Sequence, residues 1–326
     1  MAYSEAVLRR AKARLAQEKA DYEADAAARL AAAYEKYPEL REIDRELRST
    51  MAQVVAASFR KGEDPSRAIA DIREKNLALQ RRREWILADY DDTLLEHSAI
   101  CEHCGGSGYV GSRMCECLVE LCLQEQKKEL TTLLGSGRES FEQFRLEYYP
   151  DAADPKYGVN PRQMMQRVLQ KCQRYARDFS PDTSGSLLFT GGTGLGKTFL
   201  SGCIARCVAD GGYSVVYDTA IRLFSDFEAV KFGENTEESR RKTEKYTACD
   251  LLIIDDLGTE MVTQFTISVL YHVVNSRLME RRPTILSTNL SPEEIRSRYS
   301  AQIASRILGT YQVLQFLGTD IRMIKK

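Results

Sequence analysis

The chain has 326 residues, enough for a sizeable core and for more than one domain. Its 46 lysines and arginines against 47 aspartates and glutamates leave a formal charge of −1, which excludes a global field that would draw it onto nucleic acid or an anionic membrane. No apolar run reaches the roughly 20 residues of a membrane span, and the charged N-terminus contains no apolar signal core. We therefore expect a cytoplasmic protein with no membrane partner.

The first 97 residues carry almost no strand signal and predict three helices. Ser4 can cap the first helix, and Pro38 interrupts it. The run Arg81-Arg-Arg83 is more typical of a solvated helix face than of a phosphate clamp. The third helix has apolar residues at spacings of three, four and seven, which is typical of a coiled-coil seam or a helical hairpin. These residues are Ile69, Ile72, Leu79, Ile86 and Tyr90. We predict a helical docking region over residues 1–98.

A cysteine cluster follows, with the pattern C-x₂-C, ten residues, then C-x-C. Four thiolates at this spacing can close a tetrahedral zinc site, and the intervening glycines allow the tight turns that this requires. Four cysteines leave no open coordination position, so the predicted site is structural; free or redox-active thiols are the alternative. The predicted zinc ligands of this 99–122 module are Cys101, Cys104, Cys115 and Cys117, with Cys122, His103 and His97 as nearby reserves.

Residues 123–160 begin as a helix and continue as a turn-rich stretch with aromatic residues, which predicts a linker that docks on the next domain. Asn160 and Pro161 then provide an N-cap and a first helical residue. From there to residue 326, apolar runs alternate with helical patterns, which predicts a parallel sheet covered by helices. The expected strands are 187–190, 214–217, 250–254, 284–287 and 312–316.

The first of these strands runs directly into Gly191-Gly-Thr-Gly-Leu-Gly-Lys-Thr198, which precedes a helix. In this strand–loop–helix context the pattern G-x-x-x-x-G-K-T predicts a phosphate loop, and a chance glycine-rich turn is the weaker alternative. Lys197 would reach the β- and γ-phosphates, and the Thr198 hydroxyl would ligate Mg²⁺. The predicted nucleotide-binding residues are Gly191, Gly192, Thr193, Gly194, Leu195, Gly196, Lys197, Thr198 and Phe199.

Two carboxylates and an amide follow later strands. Asp255 and Asp256 end an apolar run in the form of a Walker B strand, so Asp255 would hold Mg²⁺ and Asp256 would orient the attacking water. Asp256 is one methylene shorter than the glutamate commoner at this position, which predicts slow hydrolysis. Asn289 could polarise the water or sense the γ-phosphate, although it could also be an ordinary turn residue.

The C-terminal stretch contains six basic residues and one acidic residue from Arg296 onward, the clearest basic patch in the chain. It could face a nucleotide, DNA or a neighbouring subunit. Arg306 and Arg322 are candidate phosphate sensors, because phosphoryl transfer gains from cations placed on the developing charge. Spacing alone supports each of these two assignments only weakly.

Taken in order, the phosphate loop, Ile-Ile-Asp-Asp-Leu-Gly258, Ser-Thr-Asn-Leu290, Ser-Arg-Ile-Leu-Gly309 and Gly-Thr-Asp-Ile-Arg322 resemble the AAA+ ATPases of the bacterial replicative helicase loader group (DnaC/DnaI type). IstB-like transposition helper ATPases share much of this pattern. The resemblance covers about residues 140–326, and the cysteine cluster resembles the zinc module of DnaI-type loaders.

The resemblance implies an ATPase that uses ATP, Mg²⁺ and Zn²⁺ and loads a hexameric replicative helicase onto single-stranded DNA. It matches Arg306 to an arginine finger that acts on a neighbouring copy, hence self-association, and Arg322 to the sensor-II arginine. Residues 219–247 match the helical insertion where single-stranded DNA can be contacted. Few residues follow the last predicted strand, so a full lid domain is not expected. An IstB-like helper and a non-hydrolysing ATP-binding adaptor are the alternative functions.

Overall fold

The computed structural model describes residues 3–58, 65–88, 99–133, 140–155, 157–233 and 237–323. The chain divides into two compact units, one of residues 13–117 and one of residues 1–12 together with 118–326. Both divisions fall inside helices, at Lys12 in α1 (Glu5–Lys36) and after Cys117 in α4 (Glu116–Leu133). Within the described ranges, no helix combines the length and apolarity that crossing a bilayer requires.

The unit of residues 13–117 is mainly helical, as the sequence predicts. α1 ends at Lys36, so one residue separates it from Pro38, which opens α2 (Pro38–Ser58). α3 (Pro65–Ala88) packs back on α2. Proline is tolerated at a first helical position because that residue needs no intrahelical N–H donor. The small core of these helices contains Ala33, Leu40, Ile43 and Ile86, with Leu79 packed against it.

Ion pairs join the outer faces of α2 and α3. The Arg82 guanidinium donates to both carboxylate oxygens of Glu39 at 2.8 and 2.7 Å, and Arg83 donates to Asp44 at 2.8 Å. Two members of the predicted basic run are thus paired with acidic residues of α2, in line with a solvated helix face. Tyr90 and His97 lie outside the described residues.

The cysteine-containing segment forms a short antiparallel hairpin of β1 (Tyr109–Val110) and β2 (Arg113–Met114). The Cys115 amide donates to the Gly108 carbonyl at 2.8 Å, which closes the base of the hairpin. α4 begins directly after Cys115. The hairpin therefore lies between the two cysteine pairs of the sequence pattern.

The unit that contains residues 118–326 is built on a five-stranded parallel sheet of order β4-β5-β6-β3-β7. Together with the N-terminal helices and the cysteine cluster, this confirms the predicted fold class. The strands are β3 (Leu187–Thr190), β4 (Val215–Thr219), β5 (Leu251–Leu257), β6 (Thr284–Thr288) and β7 (Gln312–Gln315). The helices after α4 are α5 (Pro161–Arg177), α6 (Lys197–Asp210), α7 (Ala220–Phe232), α8 (Glu237–Ala248), α9 (Gln264–Met279), α10 (Pro292–Arg298) and α11 (Ala301–Thr310).

Side chains of the sheet alternate between two cores, as the period of a strand requires. Leu187 and Phe189 pack with α5 and α6 on one face, whereas Leu188 packs with α7, α9 and α11 on the other. Both faces of the central strands are buried, which explains why they read as continuous apolar runs. The helix predicted at Asn160-Pro161 begins there, and the Asn160 side chain accepts from the Gln163 amide.

Strand β5 departs from the expected 250–254, because it extends to Leu257 through an irregularity in its pairing with β6. Asp256, within this irregularity, has a left-handed backbone conformation with φ of 54°. The pairing resumes because Leu257 lies opposite Thr288, whose hydroxyl donates to the Leu257 carbonyl at 2.6 Å. The predicted Walker B doublet is thus part of the strand instead of following it.

A fully buried arginine on α9 was not expected from the sequence. Arg277 donates through Nε to the Thr284 hydroxyl at 2.8 Å, and its terminal nitrogens donate to the carbonyls of Tyr246, Cys249 and Pro283 at 3.0, 3.0 and 2.7 Å. A buried guanidinium is tolerated only when its donors are satisfied. Arg277 therefore ties the end of α8 and the entrances of β5 and β6 to α9.

Candidate nucleotide site and metal centre

The loop between β3 and α6 requires glycine for steric reasons. Gly191 has φ of 143°, and a Cβ added there would lie 2.4 Å from the Phe316 carbonyl oxygen. Gly194 has φ of 73°, and a Cβ there would lie 1.7 Å from a carboxylate oxygen of Asp320. A side chain at either position would collide with the segment that follows β7, so the loop can be this tight only with glycine.

Lys197, the first residue of α6, is 5% exposed. Its ammonium donates to the carbonyl oxygens of Gly191 and Gly192 at 2.8 and 2.7 Å and to Asn289 Oδ1 at 2.6 Å. Burial lowers its pKa, and the nearby Asp256 and Asp255 carboxylates oppose this effect. Asn289 at the end of β6 is therefore brought to the phosphate loop.

The two aspartates of β5 have different surroundings. Asp255 is buried, and its carboxylate accepts from the Tyr217 hydroxyl at 2.7 Å and from the Asp256 amide at 3.1 Å. Asp256 is more exposed, and burial followed by the charge of Asp255 raises its pKa, while Lys197 and Arg322 oppose the rise. Tyr217 is a partner of the Walker B carboxylate that the sequence did not reveal.

A pocket of about 290 Å³ joins most of the predicted site residues. Gly191 and Gly192 approach it through their contacts with Lys197, and Asp255 lies directly before the pocket-lining Asp256. The predicted residues that line the pocket are Thr193, Gly194, Leu195, Gly196, Lys197, Thr198, Phe199, Asp256, Asn289 and Arg322.

Arg306, in contrast, does not line this pocket. It lies on α11, where Nε donates to Asn275 Oδ1 at 2.8 Å and a terminal nitrogen donates to the Tyr271 hydroxyl at 2.9 Å. Its guanidinium carbon is 4.7 Å from the centre of the Tyr271 ring. The structure thus separates the two candidate phosphate sensors: Arg322 is at the pocket, and Arg306 is on a face formed by α9 and α11.

Part of the pocket wall comes from residues 143–149, which the sequence assigned to a linker. Phe144 lies 6.0 Å from Phe199 and 5.6 Å from Tyr149 between ring centres, and the Tyr149 hydroxyl donates to the Leu195 carbonyl at 2.9 Å. Gln143 and Arg145 also line the pocket. The aromatic residues in this turn-rich stretch were the available signal, and they predicted docking but not a role in the site.

These residues fit a nucleoside triphosphate with Mg²⁺. The glycine loop and the N-terminus of α6 suit phosphates, Thr198 and Asp255 are oxygen ligands of the kind Mg²⁺ prefers, and Phe144 and Phe199 offer an aromatic surface to a base. A ligand with both phosphates and an aromatic base would use all three parts of the pocket.

The four predicted zinc ligands lie together, with their sulfur atoms within 4.8 Å of one another. Cys101 Sγ is 3.7 Å from Cys115 Sγ, and Cys104 Sγ is 3.5 Å from Cys117 Sγ. Sulfurs bound to one tetrahedral Zn²⁺ at about 2.3 Å are roughly 3.8 Å apart, so the donor set fits zinc. His103 and Cys122 do not belong to this group of ligand atoms.

Hydrogen bonds also favour the thiolate form at Cys104, whereas burial and the neighbouring thiols raise the pKa of Cys117. Burial acts to raise the pKa of the Cys104 thiol, but the Gly108 amide, which donates to its sulfur at 3.3 Å, and the neighbouring thiols bring the pKa down to about 6. A thiolate is the form that binds a metal.

Residues 157–317 match the model of the family described as IstB-like ATP binding protein. The replicative helicase loader DnaC of Buchnera aphidicola subsp. Acyrthosiphon pisum (strain APS) is 25% identical over 161 residues, which are 49% of this chain and 65% of that protein. The replicative helicase loader DnaC of Escherichia coli (strain K12) is 25% identical over 140 residues, 43% of this chain and 56% of that protein. A crystal structure of the DnaC helicase loader aligns with a TM-score of 0.47 and 18% identity over 55% of this chain and 97% of the other.

The family match covers the sheet, the phosphate loop, the Walker B strand and Arg306. Residues 157–317 therefore resemble the IstB-like ATP-binding family, and together with the DnaC relatives this supports a DnaC-like AAA+ ATPase. The chain spans less than two thirds of the length of the two curated relatives.

Proposed function

We propose that the chain is an ATP-dependent loader that places a hexameric replicative DNA helicase on single-stranded DNA. The proposed ATP dependence rests on one observation: Lys197, Asp256, Asn289 and Arg322 line the same pocket. The loader role is supported by the curated relatives, which are replicative helicase loaders.

In this proposal the phosphate-binding residues have distinct roles. The backbone amides of the loop and Lys197 bind the phosphates, with a phosphate oxygen replacing one of the three acceptors that Lys197 now contacts. Thr198 and Asp255 hold Mg²⁺, which neutralises charge on the phosphates. Asp256 orients water for hydrolysis, and Arg322 stabilises charge on the phosphates.

The aromatic residues determine where the base binds. Phe144 and Phe199 would hold an adenine ring, and Gln143 can both donate to and accept from the edge of a base. Because the short Asp256 side chain must reach the water from a left-handed backbone position, we propose slow basal hydrolysis that the partner or DNA stimulates.

Arg306 is proposed to act on the nucleotide of a neighbouring copy. It lies outside the pocket of its own chain and is held by Asn275 and Tyr271 on the face of α9 and α11. A cation fixed in this way is suited to enter a second site when copies associate. This assigns self-association to the working form.

The remaining parts are proposed to contact the macromolecular partners in the cytoplasm. The helices of residues 1–98 and the zinc module would bind the helicase, and α7 and α8 would contact single-stranded DNA. Residues 219–247 contain six basic and six acidic side chains, so this contact would not rest on net charge. The linker of residues 123–160 would complete the nucleotide site of the domain at 161–326.

Two experiments separate this function from its alternatives. Capture of the full chain from its native host, followed by mass spectrometry, should recover the replicative helicase; specific recovery of a transposase would favour the IstB-like helper, a reading that the family match also supports. Steady-state ATP turnover with helicase and single-stranded DNA should exceed that of an Asp256→Asn variant. Wild-type turnover no higher than the background without protein would favour a non-hydrolysing adaptor.

A further inference from the structure

A buried carboxylate follows the Walker B strand and is used by none of the roles proposed above. Glu260 is 6% exposed, and one of its carboxylate oxygens accepts from the Gly258 amide at 2.8 Å. The other oxygen accepts from the hydroxyl of Tyr299, which is 3% exposed. Arg298 donates to the Glu260 backbone carbonyl at 2.8 Å. A buried carboxylate with satisfied acceptors holds its surroundings in one arrangement.

The same turn fixes Asp256. The Thr259 hydroxyl donates to the Asp256 carbonyl at 2.8 Å. Gly258 has φ of 106°, and a Cβ there would lie 2.7 Å from Leu290, the residue after Asn289. The left-handed backbone of Asp256 is costly for a residue other than glycine and persists only where neighbouring contacts impose it. The contacts from Gly258 to Glu260 are among those that impose it.

Tyr299 connects this turn to the helix that carries Arg306. It is the C-cap of α10, and Ser300 after it is the N-cap of α11. The Tyr299 side chain lies in the core shared with α9 and α11, and burial together with the Glu260 hydrogen bond raises the pKa of its hydroxyl, which therefore stays a donor at neutral pH. One hydrogen bond thus joins the turn of Asp256 to the start of α11.

We propose that Glu260 and Tyr299 form a positioning pair that couples the turn carrying Asp256 to helix α11 and its Arg306. Neither residue lines the nucleotide pocket, so the pair acts through these two residues and not on the nucleotide itself. Its consequence for turnover rests on the proposed ATPase function. The coupling itself concerns contacts within the chain.

The first test is hydrogen–deuterium exchange on the full chain without nucleotide. Tyr299→Phe removes the hydrogen bond while preserving shape. Glu260→Gln weakens it, because one amide oxygen cannot accept from both the Gly258 amide and the Tyr299 hydroxyl, and the amide nitrogen then faces one of these donors. Exchange should therefore become at least about fivefold faster in both 254–261 and 300–310 in each variant. The matched control is Tyr311→Phe, which removes a buried hydroxyl from the other end of α11 in the same core and should leave 254–261 unchanged. Unchanged exchange of 254–261 in the two pair variants, or an equal effect in the control, would overturn the coupling.

The second test is kinetic. In both pair variants, displacement of Asp256 should lower kcat about 10- to 100-fold. The affinity for ATP should stay within about twofold of wild type, because the phosphate loop and Lys197 are unchanged. The double variant should be no slower than the slower single variant, since both substitutions act on the same interaction. Additive losses, or loss of affinity without loss of kcat, would contradict the pair. If the wild type itself has no turnover, the proposed function fails and the exchange result still decides the coupling.

Discussion

Removing two of the four clustered cysteines tests whether this cluster binds zinc. The change is Cys101→Ser with Cys104→Ser, which takes one sulfur from each of the two close pairs. The observed distances of 3.7 and 3.5 Å are within about 0.3 Å of the edge of a zinc–sulfur tetrahedron, so the wild-type ligands need little rearrangement to bind. With two sulfurs removed, tight binding should be lost.

The size of the effect follows from how little else stabilises this segment. Among residues 99–117, only Gly106, Gly108 and Cys115 are buried. Structural zinc sites contribute about 10–16 kcal/mol of apparent binding free energy, and zinc bound here would take the place of a hydrophobic core. The double variant should therefore unfold locally over 99–117. The two cores of the sheet contain none of the four cysteines, so unfolding of the sheet should keep its wild-type midpoint.

Elemental analysis and hydrogen exchange measure this directly. Wild-type protein purified without chelator should contain one zinc per chain, and the double variant should contain less than about a tenth of that and exchange rapidly over 99–117. Cys207→Ser, which removes a partly buried thiol outside the cluster, should retain the zinc. Zinc-free wild-type protein, or wild-type exchange in the double variant, would show that the cluster is not a structural zinc site. A mass loss from disulfide formation in place of zinc would favour the redox-active alternative.

Three further predictions concern the sheet domain. Lys197→Ala should weaken ATP binding at least about 100-fold in calorimetry, because it removes a charge-assisted contact to phosphate. Asp256→Asn should keep ATP binding and lose turnover. Near-wild-type turnover in either variant would contradict the proposed mechanism. Arg277→Met should lower the free energy of unfolding by about 3–5 kcal/mol in urea titrations, because it leaves buried carbonyls without donors. A change below about 1 kcal/mol would contradict the structural role of Arg277. Arg306→Ala should keep ATP affinity and lower turnover by a factor on the order of 10³, and mixing it with Lys197→Ala should restore part of the activity; equal turnover of monomeric and assembled wild type would contradict a finger acting between copies.

The features that the sequence predicted well are local ones. A proline after an asparagine starts α5, continuous apolar runs mark the buried strands, and a glycine-rich loop joins β3 to α6. Each depends on residues close together in the chain, whose backbone preferences or periodicity are visible without the fold. The same holds for the four cysteines, whose spacing is set by a single hairpin.

The features it did not predict depend on contacts between distant segments. Phe144 reaches the pocket only because residues 141–149 pack against α6, and the environment of Arg277 is formed by three separate elements. The backbone of Asp256 depends on β6 and on the turn that follows β5. Residue type and periodicity carry no information about such partners, so the wall of the pocket and the Glu260–Tyr299 contact became visible only in the structure.

The proposed loader function is tested most directly by measuring how much helicase is placed on DNA. The host's hexameric replicative helicase is incubated with circular single-stranded DNA, the chain and ATP, and the DNA-bound helicase is separated by gel filtration and quantified. We expect wild-type chain with ATP to raise the bound helicase several-fold, and Lys197→Ala to return it to the level without the chain. Equal amounts of DNA-bound helicase with and without the wild-type chain would contradict the proposed loader function.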